Sequence, residues 1–470
     1  MNLNTELQVT TTDFSLATLD DKPNYLSDFR QFAELCDNIR LAPRKAAKSL
    51  LIADYLTGLH TDELVVATRI LSGYVFPLRD HKKLNISGLV ILNCLAACAG
   101  VPSSFVKERL CELGSLGDLA YEIFTAGLTI AISNTLLLGS TVEATSQLSA
   151  IPGTRKKSEI ITHLLRRATP LEAKYLVEIM TGDLNIGLSE SDVEHALSSW
   201  KDISIGRIQS ANMLLGDIGE TAVLCAEGRI DEARMRLFRP IKYMLATELT
   251  RSDNLQKLLP EPMVVEDYTD AIRVQVHIGL DVAGNADVGG SVYDGLRVLI
   301  LSDRLEDITG QFLDLVPGIS GLLYEQAGTV EAVGVIFDGV IVATRNGVIL
   351  PMAELKVRLV SYSAGDVPAV DIPVGFVVFD QLFGEGRSLI QEEWYDRRIS
   401  LEKIGCDNIT TFRTASSIIS GIREFEAAVA DASRRGVGEV LIKNPRSSYR
   451  PGRRGRDWFR FVTQDAATAD

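Results

Sequence analysis

The feature that most constrains this chain is a change of hydrophobic period between Gly228 and Pro240. On the amino-terminal side, apolar residues recur every three or four positions, the spacing that lines one face of an α-helix. The segment FRQFAELCDNI puts Phe29, Phe32, Leu35, Cys36 and Ile39 on one such face, and RKAAKSLLIADYLTGL repeats the pattern. On the carboxyl-terminal side the runs RVQVHIGLDV, LRVLILS, VEAVGVIFDGVIVAT, DIPVGFVVFDQLF and GEVLIKN are short and β-rich, punctuated by Gly-Asn, Gly-Gly and Asn-Gly pairs. Two helical segments, QEEWYDRRISLEKI and GIREFEAAVADASRR, interrupt them. The chain therefore reads as multidomain, α and α+β: a polar, Thr-rich mobile tail over 1–24, an all-helical domain over 25–232, and a domain with antiparallel sheets over 236–466.

Helix boundaries follow from local chemistry. TPLEAKYLVEIMTGDL offers Thr169 as a cap, Pro170 at the first helical position and Glu172 at the third. In TDELVVATRIL a cap at Thr61 is followed three residues later by Leu64, so no capping box is expected, although Asp62 and Glu63 suit a helix start. The apolar run from Ile86 to Val101 is broken by Asn93 and Gly100 and is short for a membrane span, so it reads as a buried helix. The amino terminus lacks the charge and apolar pattern of a signal peptide. The six cysteines form no CxxC pair and have no histidine at zinc-finger spacing, and Cys94 and Cys98, one helical turn apart in an apolar run, read as small buried hydrophobes in a reducing, cytoplasmic compartment. A net charge of -14 excludes a surface that grips phosphate everywhere, but leaves room for one basic groove. The best such stretch is KNPRSSYRPGRRGRDWFR.

The ordered motifs EAKYLVEIMTGDLNIGLSE, LLGDIGETAVLCAEG, LFRPIKYMLA, VEDYTDAIRVQVH, LSDRLEDIT, IFDGVIVA, FVVFDQLF and GVGEVLIKNPRSSYRPGRRGRDWFRF resemble the ATP-dependent DNA ligases of archaeal and bacterial type. The resemblance covers about residues 27 to 465. It implies a helical DNA-binding domain followed by an adenylation (nucleotidyltransferase) domain. The family's OB-fold domain is not expected, because the chain stops shortly after Phe461. It also implies an activity: a lysine attacks the α-phosphate of ATP, and the AMP so held passes to the 5′ phosphate of nicked double-stranded DNA during repair and replication, served by magnesium.

Against that pattern the site is degraded. The family's E-x-K-Y-D-G-x-R reads Glu266 to Arg273, with Tyr268 at the nucleophile position and no lysine from Leu258 to Leu355. A phenol has a pKa of about 10 and a different reach. The S-R segment reads Ser302-Asp303, turning attraction for phosphate into repulsion. D-G-E reads Asp338-Gly339-Val340, and E-G-x-x-x-K reads Gly438 to Lys443, so Val340 and Gly438 replace two carboxylates. Glu439 is expected to point to the opposite strand face. W-x-K-x-K reads Trp458 to Val462.

The resemblance carries over Glu266 for the adenine edge, Arg273 for ribose or the nick end, Phe379 for stacking on the base, and Lys443, Arg454 and Arg460 as charged neighbours. Together they suggest a site that holds ATP or AMP weakly, with little provision for magnesium. Each has a plainer reading: Tyr268 as a core or cleft-lining aromatic, Phe379 as a core residue of an apolar β run, Arg273 as an internal ion pair with Asp270 or Glu266. For DNA the candidates are Arg155, Lys156, Lys157, Arg450 and Arg453, alongside Arg166 and Arg167, while Glu178 and Asn185 stand where arginine is usual and weaken a phosphate surface. Three readings stay open: an inactive ligase-like protein with a structural or regulatory role, on nicked DNA or with a protein partner in a repair assembly; a working ligase; and a nucleotide or protein-interaction module that does not touch DNA.

Overall fold

The computed structural model describes residues 27–80, 82, 84–127, 135–251, 253–259, 261–268, 270–281, 288–324, 334–345, 348–363, 372–404 and 410–463. The tail expected over 1–24 lies outside them, as does Thr269. The chain divides into two compact units, one falling within 1–77, 82–209 and 217–232, the other within 78–81, 210–216 and 233–470.

The first unit is helical. Phe29–Leu41 buries Phe29, Phe32, Leu35, Cys36 and Ile39, the face anticipated from spacing. The run with Cys94 and Cys98 forms the buried helix Gly88–Ala99. Among the described residues no single helix is long and apolar enough to cross a membrane. At the start of Pro170–Thr181 the Thr169 hydroxyl accepts from the Glu172 amide, and the Glu172 carboxylate accepts from the Thr169 amide at 2.7 Å. The start near Thr61 differs from expectation. The helix Thr61–Leu71 is capped one residue earlier, at His60, so Glu63 falls at the third position and accepts from the His60 amide. Its carboxylate also holds Ser27 through both amide and hydroxyl.

The second unit holds two sheets. Its strands are β1 (Leu245–Leu249), β2 (Met263–Tyr268), β3 (Ile272–Leu280), β4 (Ser291–Tyr293), β5 (Leu296–Leu301), β6 (Val335–Arg345), β7 (Val348–Ile349), β8 (Val374–Gly384), β9 (Arg387–Ser388), β10 (Thr411–Arg413), β11 (Ser416–Ile419), β12 (Glu439–Lys443) and β13 (Arg454–Val462). One sheet runs β1-β13-β12-β2-β11 and the other β10-β8-β6-β3-β5-β4. The pairings are antiparallel, as expected, except β1 with β13 and β10 with β8, where a strand joins an edge in parallel.

The larger sheet covers helices with one face. Val274, Val276 and Ile278 of β3 and Phe337, Ile341 and Ala343 of β6 pack with Ile319 and Leu322 of Val316–Tyr324 and with Leu355 of Met352–Ser363. Neither helix was anticipated; in Val316–Tyr324 the residues Pro317, Gly318 and Gly321 weigh against a helix, and burial against the sheet outweighs them. The smaller sheet packs Val265, Val440, Ile442, Phe459 and Phe461 on Phe425 and Val429 of the helix Ile422–Arg434. The remaining faces meet each other, with Ile336 and Leu382 of the larger sheet clustering with Leu441 and Trp458 of the smaller. That meeting of faces frames the cleft.

Candidate functional site

The cleft is lined by residues of both sheets, including Glu248, Glu266, Tyr268, Arg273, Val340, Phe379, Thr414, Arg454, Trp458 and Arg460. Strand period decides who reaches it. Arg273, Gln275 and His277 occupy the β3 face opposite the helix-packed valines. All three are polar, so each needs partners. The Gln275 amide exchanges two hydrogen bonds with the backbone of Ile241, and His277 Nδ1 accepts from the Phe238 amide. Only Arg273 is left at the cleft.

Arg273 is an internal ion pair, but its partner is Asp338 rather than Asp270 or Glu266. Its Nε and Nη2 donate to the two Asp338 oxygens at 3.2 and 2.7 Å, and Nη1 donates to the Met244 carbonyl at 3.0 Å. Asp338 also accepts from the Tyr449 hydroxyl at 2.7 Å. Burial opposes the Arg273 charge, and Asp338 outweighs it, so the guanidinium stays charged with its affinity for protons raised. The ring of Tyr243 lies 4.6 Å from the guanidinium carbon and that of Phe379 5.6 Å from it.

Phe379 owes its place to a bulge. The register runs Gly339 with Val378 and then Asp338 with Asp380, leaving Phe379 as the extra residue on β8. It is half-buried and faces the cleft instead of the helix-packed core. Gly339 makes this approach possible, because a Cβ there would come within 2.4 Å of the Val377 carbonyl. The bulge also sets Asp338 opposite Asp380, two like charges made tolerable by separate arginines. Arg397 donates to both Asp380 oxygens at 2.8 Å in a wholly buried pair.

Glu266 and Tyr268 share one face of β2. The Glu266 carboxylate is buried, and its Oε2 lies 2.6 Å from Lys443 Nζ. Burial pushes the Glu266 carboxyl up, against the pull of Lys443. Its Oε1 has no hydrogen-bond partner among the described residues. Lys443 is wholly buried, does not line the cleft, and lies over the rings of Trp458 and Phe379 at 4.4 and 5.1 Å. Tyr268 is half-buried and packs on the Leu441 and Trp458 cluster, with Arg460 5.9 Å from its ring.

Glu439 lies on the site's own face. Register pairs it with Tyr268 and Val462, while Leu441 pairs with Glu266 and Arg460, so Glu439, Leu441 and Lys443 all face the cleft side. The expectation of the opposite face counts from Gly438, which precedes the strand. Glu439 is not free for a metal, because Arg460 stands 3.4 Å from it and 3.1 Å from Glu248. Asp267 is likewise engaged by Arg435 at 2.9 Å. A divalent cation needs several carboxylate or carbonyl oxygens facing one point. Val340 supplies none, and each carboxylate around the cleft is held by an arginine or lysine. Among the described residues no group of three potential metal ligands occurs. The residues present do not fit the family's metal.

Other expected positions fall elsewhere. Asp303 is exposed on the turn after β5 and does not line the cleft. Val462 is 48% exposed at the end of β13. Lys157 is only 8% exposed, and its ammonium donates to the carbonyls of Leu84 and Asn85, so it is not a surface cation. Glu178 is 4% exposed and contributes no surface repulsion; it packs into space that only Gly117 leaves open. Arg155, Lys156 and Arg450 are exposed, with Arg155 3.3 Å from Glu159 and Arg450 3.5 Å from Asp457, while Arg453 is half-buried. Glu248 and Thr414 line the cleft without having been anticipated, since their segments carry no motif.

A helical unit followed by two apposed sheets with an aromatic and arginine-lined cleft defines the ligase class of nucleotidyltransferase fold. The family profiles "DNA ligase N terminus" and "ATP dependent DNA ligase domain" match residues 28–198 and 243–461. The chain is 32% identical over 455 residues to a "Probable DNA ligase" of Koribacter versatilis, covering 91% of this chain and 74% of the relative. It is 28% identical over 447 residues to a "DNA ligase" of Methanothrix thermoacetophila, covering 93% and 75%. A solved structure titled "Pmar-Lig_PreS3" superposes with a TM-score of 0.54 at 14% identity, over 92% of this chain and 78% of that one, which speaks to the fold alone. The chain belongs to the ATP-dependent DNA ligase family.

Proposed function

We propose that this family member no longer forms the covalent AMP intermediate and serves a structural or regulatory role on nicked DNA in repair or replication. The observation that carries this reading is the cleft's lack of an available amine. Tyr268 stands at the attacking position, and Lys443, the lysine beside the cleft, is consumed by Glu266. A paired, buried ammonium has no lone pair to offer. The metal misfit at Val340, Gly438 and Glu439 points the same way, because phosphoryl transfer depends on metal and fixed charge. Under this reading Glu266, Arg273, Phe379, Arg454 and Arg460 remain as a nucleotide cleft, and Lys443 acts as countercharge within it. Arg155, Lys156, Arg450 and Arg453 supply phosphate contacts.

A second reading, a nucleotide or protein-interaction module that does not touch DNA, is favoured by the internal use of Lys157. Two assays on the full chain separate these. Sealing of a 5′-phosphorylated nicked duplex with ATP and magnesium is expected to be absent; sealed product would contradict the proposal. Binding to the same duplex at low salt, weakening steeply as salt rises, supports the role on DNA. Lack of binding at low salt favours the second reading.

A further inference from the structure

A buried carboxylate without a countercharge sits where two helices of the first unit meet. Glu178 lies on Pro170–Thr181, a helix that packs against Leu116–Thr125. It is 4% exposed, and its Oε2 has no hydrogen-bond partner among the described residues. The carboxylate reaches the facing backbone because residue 117 is glycine; a Cβ there would stand 2.6 Å from Oε1. The ammonium that could neutralise it, Lys174 one turn earlier, is committed to Asp118 of the facing helix at 2.6 Å. Asp118 and, just past the helix end, Asp183 add two more negative charges. From Phe29–Leu41 come Asp37 and Arg40, paired with each other at 2.7 Å, and Cys36, whose thiol is held neutral by burial. The Tyr175 hydroxyl donates to Asp37 at 3.2 Å.

Each of these neighbours is negative, neutral or already paired. An ionised carboxylate at this place leaves a charge unsatisfied inside the unit, whereas a neutral carboxyl costs far less. Burial first, then Asp118 and Asp183, push the Glu178 carboxyl up to about 7, against Lys174 and Arg40. Separating the two helices returns water to Glu178 and with it the ordinary affinity for a proton. The shorter helix is the one placed to leave. Leu116–Thr125 runs between Gly114 and Gly127, both in the left-handed region that lets the chain turn sharply. It buries Leu119, Ala120, Ile123 and Phe124, so the open state is a minor one, and the charge on Glu178 sets how minor.

We infer that the contact between Leu116–Thr125 and Pro170–Thr181 is a proton-operated latch, closed over neutral Glu178 and opened locally, by release of Leu116–Thr125, when Glu178 gives its proton to solvent. The closed latch holds that proton more tightly than the open one. The open fraction is therefore lowest below about pH 4.5, climbs as pH rises, and levels off above about 7. The device lies within the first unit and stands apart from the nucleotide and DNA readings given above. It is distinct from a general loss of stability, because the other helices of the unit stay closed.

Native-state hydrogen exchange of the full chain at about pH 5 and about pH 8, corrected for the intrinsic pH dependence of amide exchange, tests this. Protection of the amides of residues 119–125 is expected to fall roughly tenfold or more between the two, a figure discounted for nearby solvent, while those of Thr61–Leu71 change less than about twofold. In Glu178→Gln, which cannot ionise, the fall should vanish. Asp118→Asn frees Lys174 to pair with Glu178 and should shrink the fall, because the charged form is then satisfied. The second variant keeps the test open should the first fold poorly. No fall in the parent, or an equal fall in Glu178→Gln, overturns the latch. So does an equal fall in Thr61–Leu71, which would mean that the whole unit unfolds instead. An unchanged fall in Asp118→Asn would overturn the competition for Lys174 on which the latch rests.

Discussion

Lys443 Nζ and Glu266 Oε2 lie 2.6 Å apart, with the two side chains 0% and 2% exposed. The lysine is therefore a countercharge, and β2 and β12 are tied together across the floor of the cleft. Removing one member of a buried pair leaves the other charged and unsolvated, at a cost of about 3–5 kcal/mol. Lys443→Met is expected to lose that much in urea unfolding, and Lys443→Met combined with Glu266→Leu to recover most of it. A single mutant as stable as the parent would mean that the pair is not formed.

The Arg397 pair with Asp380 makes a parallel case on the larger sheet, where β8 must carry Asp380 opposite Asp338. Arg397→Met should destabilise by about 3–5 kcal/mol, and more than Arg450→Met, whose exposed pair with Asp457 is worth at most about 1 kcal/mol. Thermal melts of the two variants side by side give the comparison.

Glu178 sets a pH dependence in the helical unit. Burial pushes its carboxyl up from 4.5 to about 7, with Lys174 opposing. The folded state thus holds this proton more tightly than the unfolded chain does. The stability contributed is full below about pH 4.5 and is lost as pH rises through about 7. Glu178→Gln should remove that slope and gain roughly 1–2 kcal/mol at about pH 8, discounted for nearby solvent, with little change near pH 5. Unfolding curves at the two pH values check it; a loss of stability at the higher pH would contradict the assignment.

Tyr268→Lys alone is expected not to restore adenylation. An amine at that position would still face Val340 and an arginine-bound Glu439, with no metal site to polarise the phosphate. Addition of Val340→Glu and Gly438→Glu is the smallest change that rebuilds the carboxylates, and the triple variant is the one to assay for label. Efficient labelling of the single mutant would show that the lost carboxylates matter little.

Much of this is legible in the chain. The change of period locates the helical and sheet regions, and the E-x-K frame places Glu266, Tyr268 and Arg273 around one cleft. What stays hidden depends on register. The partner of Arg273 is a diagonal neighbour on β6, and the bulge that turns Phe379 into the cleft is visible only once β8 is paired. Glu439 escapes its expected face because the strand begins one residue after Gly438. Lys157 is a different kind of miss, since Ile160, Ile161 and Leu164 stand three, four and seven positions on and already mark its face of the helix as buried. Glu178, in a helix buried from Glu172 to Met180, carries the same signal.

The most direct test of the central claim is incubation of the full chain with ATP labelled at the α-phosphate, with magnesium or with manganese, followed by denaturing electrophoresis. Without an available amine, no label should remain on the protein in either metal. Label that survives denaturation and is released by pyrophosphate would contradict the account, because it would mean that this cleft still forms the covalent AMP bond.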